Sequence, residues 1–131
     1  MLDRLVFGCM ANNEILPFPD NHFDCYIAPL SLQLVYSYKA MLAEAYRVTR
    51  AGGKIGFSVW GRREHIQIYP ILERVLERHG LGPASKPTKT NYDICLNRDE
   101  VRKEMTEMGL INIKMWFQPV NYIFDSFDCF Y

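Results

Sequence analysis

Apolar positions change period several times along this chain. Residues 4–10 (RLVFGCM) and 23–28 (FDCYIA) are short, nearly continuous apolar runs. Both runs, rich in strand formers, predict strands, and the continuous apolar run 23–28 suits a sheet covered on both faces. Between them stand the turn formers Asn12, Asn13, Pro17, Pro19, Asp20 and Asn21, and Pro29 closes the second run. From 34 to 50 the period becomes helical: Leu34, Tyr38, Met41, Leu42, Ala45 and Val48 share one face, with Lys39, Glu44 and Arg47 off it. Ala51, Gly52 and Gly53 are expected to cap that helix, because glycine tolerates the left-handed C-terminal position. Residues 54–60 (KIGFSVW) then predict another strand, closed by Gly61.

A second helix is predicted over about 65–79, with Ile68, Leu72, Val75, Leu76 and His79 in line and Pro70 in its first turn. Residues 80–93 have no period and many turn formers, which predicts a long loop. A third helix opens at Asn97 with Glu100 in capping-box spacing, carries Val101, Met105 and Met108 as its buried stripe, and stops at Gly109. In 111–117, Ile111, Ile113, Met115 and Phe117 alternate with Asn112, Lys114 and Trp116, which predicts a two-faced strand. Residues 121–124 (NYIF) would add an edge strand. Strands alternating with helices imply an α/β fold, a mostly parallel sheet flanked by helices, in a single domain over 1–131. Its strand-to-helix loops gather at the carboxyl ends of the strands, where open α/β sheets bind ligands.

Composition narrows the partners. Lys plus Arg and Asp plus Glu are 15 each, so no basic excess is present to hold a nucleic-acid backbone, and no nucleic-acid partner is expected. No run approaches the roughly 20 apolar residues of a membrane span. Cys9, Cys25, Cys95 and Cys129 lie far apart without a metal-binding spacing, so no metal is expected and reduced thiols in a cytoplasmic protein are the default. The amino terminus lacks a signal-peptide pattern, and an organellar location stays open.

The stretch LPFPDNHFDCYIAPLSLQLV, followed by MLAEAYRVTRAGGKIGFSVWG, resembles the class I S-adenosylmethionine-dependent methyltransferases. The group is typified by the ubiquinone and menaquinone biosynthesis methyltransferases, and the likeness spans residues 4–61. Glu44, Arg47, Val48, Gly52 and Gly53 fit the family's E-x-x-R-V-L-x-P-G-G ending, with Thr49 and Ala51 replacing Leu and Pro. The resemblance implies a partial Rossmann-like fold with S-adenosyl-L-methionine as cofactor at the carboxyl ends of its strands. It places Asn12 at the adenine amino group, Asn13 beside the adenine ring, Ala28 and Pro29 along the ribose and methionine portion, and Leu32 as a wall of the same pocket. The family's glycine-rich loop and ribose-binding acid are missing; the one G-x-G, Gly80 to Gly82, follows a helix. The chain is therefore expected to be the later part of a methyltransferase domain lacking the first strands, a piece of a longer protein, and inactive by itself.

Other residues are candidates for the acceptor side. Trp60 and Tyr92 would wall a substrate pocket, and Arg62 would face an anionic substrate, against the plainer readings of packing and a solvated helix entry. Asp20, His22 and Asp24 invite a metal or general-base reading but are expected to be a solvated turn. No nucleophile–base pair or paired carboxylates stand out, so no catalytic residue is assigned. Methyl transfer from a sulfonium needs positioning and desolvation more than a base. Two functions follow: methyl transfer to an unidentified acceptor, or a non-catalytic remnant serving as a protein-interaction subunit. Without neighbouring strands, the strand at 23–28 would have an open edge, and homodimerisation or strand exchange through it is expected.

Overall fold

The computed structural model describes residues 8–62, 65–66, 68–81 and 91–120. Its elements are β1 (Phe23–Ala28), α1 (Tyr38–Val48), β2 (Thr49–Phe57), α2 (Ile68–Arg78), a 3-10 helix (Tyr92–Leu96) and α3 (Arg98–Glu107). β1 and β2 pair in parallel, with Tyr26 opposite Ile55, Ile27 opposite Gly56 and Ala28 opposite Phe57. A parallel pair needs a crossover between its strands, and α1 supplies it. This is the β–α–β core of a Rossmann-like sheet.

The core lies on one face of that ladder. Ala28 and Leu32 from β1 and its following loop, Met41 and Leu42 from α1, Ile94 from the 3-10 helix, and Val101 and Met105 from α3 form one buried cluster. Tyr26 and Phe57 pack against it with ring centroids 5.8 Å apart. The opposite face of the ladder, with Cys25, Ile27, Lys54 and Gly56, is exposed.

Several boundaries differ from the sequence expectation. Helix α1 starts at Tyr38 rather than 34, because Ser37 caps it: Ala40 N–H donates to Ser37 Oγ at 3.2 Å. It ends at Val48, and Ala51, Gly52 and Gly53 belong to β2 instead of capping the helix. The ladder steps from Phe23–Thr49 to Cys25–Lys54, so residues 50–53 bulge opposite Asp24 alone. Gly52 takes φ +76° there, and a Cβ on Gly53 would lie 2.5 Å from Thr49 Cγ2 and 2.9 Å from the carbonyl oxygens of Arg50 and Asp24. The glycines serve the bulge. Thr49 still finishes the helix, its hydroxyl donating to Ala45 O at 2.7 Å.

Pro70 does sit in the first turn of α2, and Gly109 (φ +97°) stops α3. Asn97 is at the N-cap of α3 but makes no side-chain cap bond, so the capping box does not form. It also closes the 3-10 helix, Asn97 N–H donating to Ile94 O, and its φ −104°, ψ 39° is not the extended geometry that a cap requires. That 3-10 helix occupies the end of the expected long loop, whose residues 82–90 lie outside the described residues.

Residues 111–117 are not a strand. Ile113 and Met115 pack partly onto the core while Ile111 stays exposed, and Asn112 takes φ 56°. Alternation alone cannot make a strand without a partner, and the described sheet has two strands, β1 and β2. Of the expected strand at 4–10, residues 4–7 lie outside the described residues and 8–10 are irregular. The expected edge strand at 121–124 also lies outside them.

Candidate functional site at the carboxyl end of β1

The entry loop is fixed by one arginine. Arg47 donates through Nε and Nη2 to the two carboxylate oxygens of Glu44, both at 2.7 Å. Its Nη1 reaches Phe18 O at 2.8 Å and Asp20 Oδ1 at 2.7 Å, and Nη2 also reaches Leu16 O at 3.1 Å. All five guanidinium donors are thereby used. Glu44 returns the contact, accepting Leu16 N–H at 2.7 Å. These hydrogen bonds from Arg47 hold the Glu44 carboxyl below its usual range, although its burial pulls the other way. Glu44 and Arg47 thus bind helix α1 to the L-P-F-P-D segment that leads into β1.

A second carboxylate braces the loop after β1. Glu14 Oε1 accepts from Tyr36 N–H at 2.5 Å and Ser37 N–H at 2.9 Å, just ahead of α1. Ser58, beyond β2, accepts Leu30 N–H on its hydroxyl at 3.0 Å, and its own amide donates to Ala28 O at 3.4 Å. Leu30 is held at φ 49°, a left-handed conformation uncommon outside glycine. Asn91 donates through its amide N–H to Gln33 O at 3.1 Å and through Nδ2 to Val35 O at 2.8 Å. The loop at 29–37 is therefore held from three sides.

Inside that brace sits Gln33, which the sequence reading missed. It is 1% exposed, yet neither Oε1 nor Nε2 has a hydrogen-bond partner. Buried polar side chains are nearly always paired, and an orphan costs about 1–3 kcal/mol. A glutamine inside an apolar run (LSLQLV) was the available signal. Two hydrogen-bonding atoms are thus held unspent in the loop beyond the carboxyl end of β1.

The expected cofactor residues fall into two groups. Ala28 and Leu32 are buried and Pro29 is exposed, all on the β1 strand end and loop. Asn12 and Asn13 are exposed in a separate turn, where Asn12 Oδ1 accepts Glu14 N–H at 3.0 Å. The link between the groups runs through Glu14 to Tyr36 and Ser37. Of the acceptor-side candidates, Trp60 is half-buried after β2, Arg62 is exposed and Tyr92 opens the 3-10 helix. Asp20, His22 and Asp24 diverge: Asp20 pairs with Arg47, Asp24 with Arg50, and His22 meets the edge of Phe23 at 4.7 Å. Tyr26 is a poor base, since burial, with Glu44 adding to it, pushes its phenol further up. Among the described residues no three His, Cys, Asp or Glu cluster to hold a metal, and no helix is long and apolar enough to cross a membrane.

Comparison with known proteins meets this geometry. A family model described as a methyltransferase domain matches residues 5–57, which take in the Arg47 clamp, β1, α1 and β2. The chain is 40% identical over 116 residues to the ubiquinone/menaquinone biosynthesis C-methyltransferase UbiE of Shewanella pealeana, covering 86% of this chain and 45% of that protein. Its likeness to the UbiE of Shewanella sp. (strain ANA-3) is also 40%, over 128 residues, 92% of this chain and 50% of the relative. The corresponding protein of Francisella tularensis subsp. holarctica is 35% identical over 117 residues, 79% of this chain and 45% of its own length. The chain spans about half the length of the curated relatives it matches.

Proposed function

This chain carries part of a class I methyltransferase domain, and from that premise we propose that it forms one wall of a methyl-transfer site using S-adenosyl-L-methionine. The cofactor, when bound, supplies an activated methyl group on a sulfonium. Ala28, Pro29 and Leu32 would line its ribose and methionine portion, with Asn12 and Asn13 at the adenine edge. Trp60 would exclude water from the acceptor side. Transfer to the acceptor then rests on alignment and desolvation, with no base assigned.

The observation that carries this reading is Gln33. Its donor and acceptor are buried without a partner in the loop that follows β1, next in sequence to Leu32, and a polar ligand entering there would satisfy them. By itself the chain is proposed to be inactive, because its sequence lacks the family's glycine-rich loop after a first strand and the ribose-binding acid. We place it in the cytoplasm, where the exposed thiols of Cys9 and Cys25 stay reduced. A non-catalytic interaction subunit is the second reading, favoured by the bare outer face of the ladder, where Ile27 is 74% exposed.

The test is a chimaera joining the amino-terminal half of the Shewanella pealeana relative to this chain, with cofactor affinity read by calorimetry. Gln33→Leu should stabilise the fold, by removing an orphaned amide, yet weaken binding in the chimaera. Asn12→Ala should weaken binding several-fold, the loss of one neutral hydrogen bond, and His22→Ala should not. Unchanged binding in Gln33→Leu and equal losses in the other two would overturn the placement.

A further inference from the structure

Apart from Gln33, two arginines from distant parts of the chain meet one aromatic ring. Arg62 follows the carboxyl end of β2, and Arg98 is the first residue of α3. Their Cζ atoms lie 6.0 Å and 5.2 Å from the centroid of the Phe117 ring. Phe117 is brought there by a return segment that runs back along α3. Leu110 N–H donates to Met105 O at 3.0 Å, and Arg102 Nη1 donates to Ile113 O at 2.8 Å, so the segment passes from the carboxyl to the amino end of that helix. Ile113 and Met115 anchor it on the core.

Neither arginine is ion-paired to a described carboxylate. The first turn of α3 also carries Asp99 and Glu100. Both are exposed, and neither forms an ion pair with Arg62 or Arg98. An exposed cation–ring contact returns only about 0.5–1 kcal/mol, so the ring leaves each guanidinium open to a stronger partner. An oxyanion is such a partner, because the planar fork of arginine matches phosphate and carboxylate oxygens in pairs. The ring meanwhile restricts both long side chains, which reduces the freedom lost when a ligand binds.

We infer that Arg62 and Arg98, steadied by Phe117, form an oxyanion site for a ligand carrying a phosphate or carboxylate group. The site rests on the methyl-transfer reading only where the anion is assigned to the methyl acceptor; anion binding itself requires no cofactor. It joins Arg62, a residue the sequence singled out, to Arg98 and Phe117, which it read as parts of a helix start and of a strand.

The test is a titration of the isotopically labelled full chain with inorganic phosphate, followed through the Nε–H signals of Arg62 and Arg98 and the ring signals of Phe117. Saturable shifts at these three residues are expected. Arg62→Gln and Arg98→Gln should each weaken binding about tenfold, the loss of a charge-assisted contact. Both side chains are exposed, so the variants should keep the wild-type amide spectrum. If Arg98→Gln unfolds, Arg98→Lys retains the charge without the fork and should bind several-fold more weakly than wild type. Acetate in a parallel titration reads the carboxylate preference. Vesicles of phosphatidic acid, against phosphatidylcholine alone, separate a lipid headgroup from a free ligand: binding that phosphate competes away assigns the former, and phosphate binding without vesicle binding the latter. Wild-type affinity in both Gln variants, or shifts that do not saturate or that centre elsewhere, would overturn the site.

Discussion

Helices α1 and α2 both carry a clean apolar stripe, but only α1 is covered. Met41, Leu42, Ala45 and Val48 on α1 are 0% exposed, whereas Ile71, Leu72 and Val75 on α2 are 57%, 47% and 45% exposed. The difference lies outside the helices. α1 crosses over the β1–β2 ladder and is fastened to the entry loop by Glu44 and Arg47. On α2 those apolar positions stand open to solvent. Periodicity predicts that a helix will form; whether its stripe is covered depends on the sheet beside it.

The largest expected contrast follows directly. Leu42→Ala should destabilise the chain by about 2–5 kcal/mol, as a fully buried truncation does. Leu72→Ala should stay within about 1 kcal/mol, and denaturant melts of the two variants compare them. Equal losses would mean that α2 is covered after all. Next is the bulge. Gly53→Ala places a methyl against two backbone carbonyls and should cost about 1–3 kcal/mol by the same measurement, loosening the braced half from within.

The Glu44–Arg47 clamp gives a smaller effect with a pH signature. Glu44→Gln leaves an amide N–H facing donors and should cost about 1–2 kcal/mol at neutral pH. Because the folded carboxyl is held below its ordinary value of 4.5, its contribution is fully present above that value and is lost as pH falls through the lower folded one. The variant should therefore lose less stability on acidification than wild type. A parallel acid limb in both would show that the clamp does not hold the carboxylate.

The smallest change in fold stability is expected on the bare face. Ile27→Lys should leave the melt nearly unchanged, since Ile27 faces away from the core. We expect wild-type chains to associate at micromolar concentration through the β1 edge and this face, and the lysine to reduce that association in light scattering. A monodisperse wild-type monomer would remove the contrast between the covered and open faces.

What the sequence made legible tracks the same division. The strand at 23–28, the Met41–Val48 stripe of α1 and the stop at Gly109 depend on local pattern and appear. The strand, however, is covered on one face rather than the expected two, and Leu34 falls outside the helix and is exposed. The alternation in 111–117 was real in Ile113 and Met115, but a strand is a statement about a partner that the pattern cannot supply. The glycines at 52 and 53 were read as a cap because a bulge depends on the register with β1. Among the site residues, Ala28 and Leu32 share the buried cluster, while Asn12 and Asn13 stand in a separate turn that Glu14 links to the loop after β1. Gln33 and the Arg62–Arg98–Phe117 cluster went unread because burial without a partner, and convergence across distant segments, exist only in three dimensions.

The braced β1 end is proposed as one wall of a cofactor site that is insufficient alone. The most direct measurement is a pair of calorimetric titrations with S-adenosyl-L-methionine, one on this chain and one on its chimaera with the amino-terminal half of the Shewanella pealeana relative. No measurable binding to the chain alone is expected, and micromolar binding to the chimaera, lost or weakened with Gln33→Leu. Micromolar binding to the unaided monomer, or a well-folded chimaera that does not bind, would contradict it.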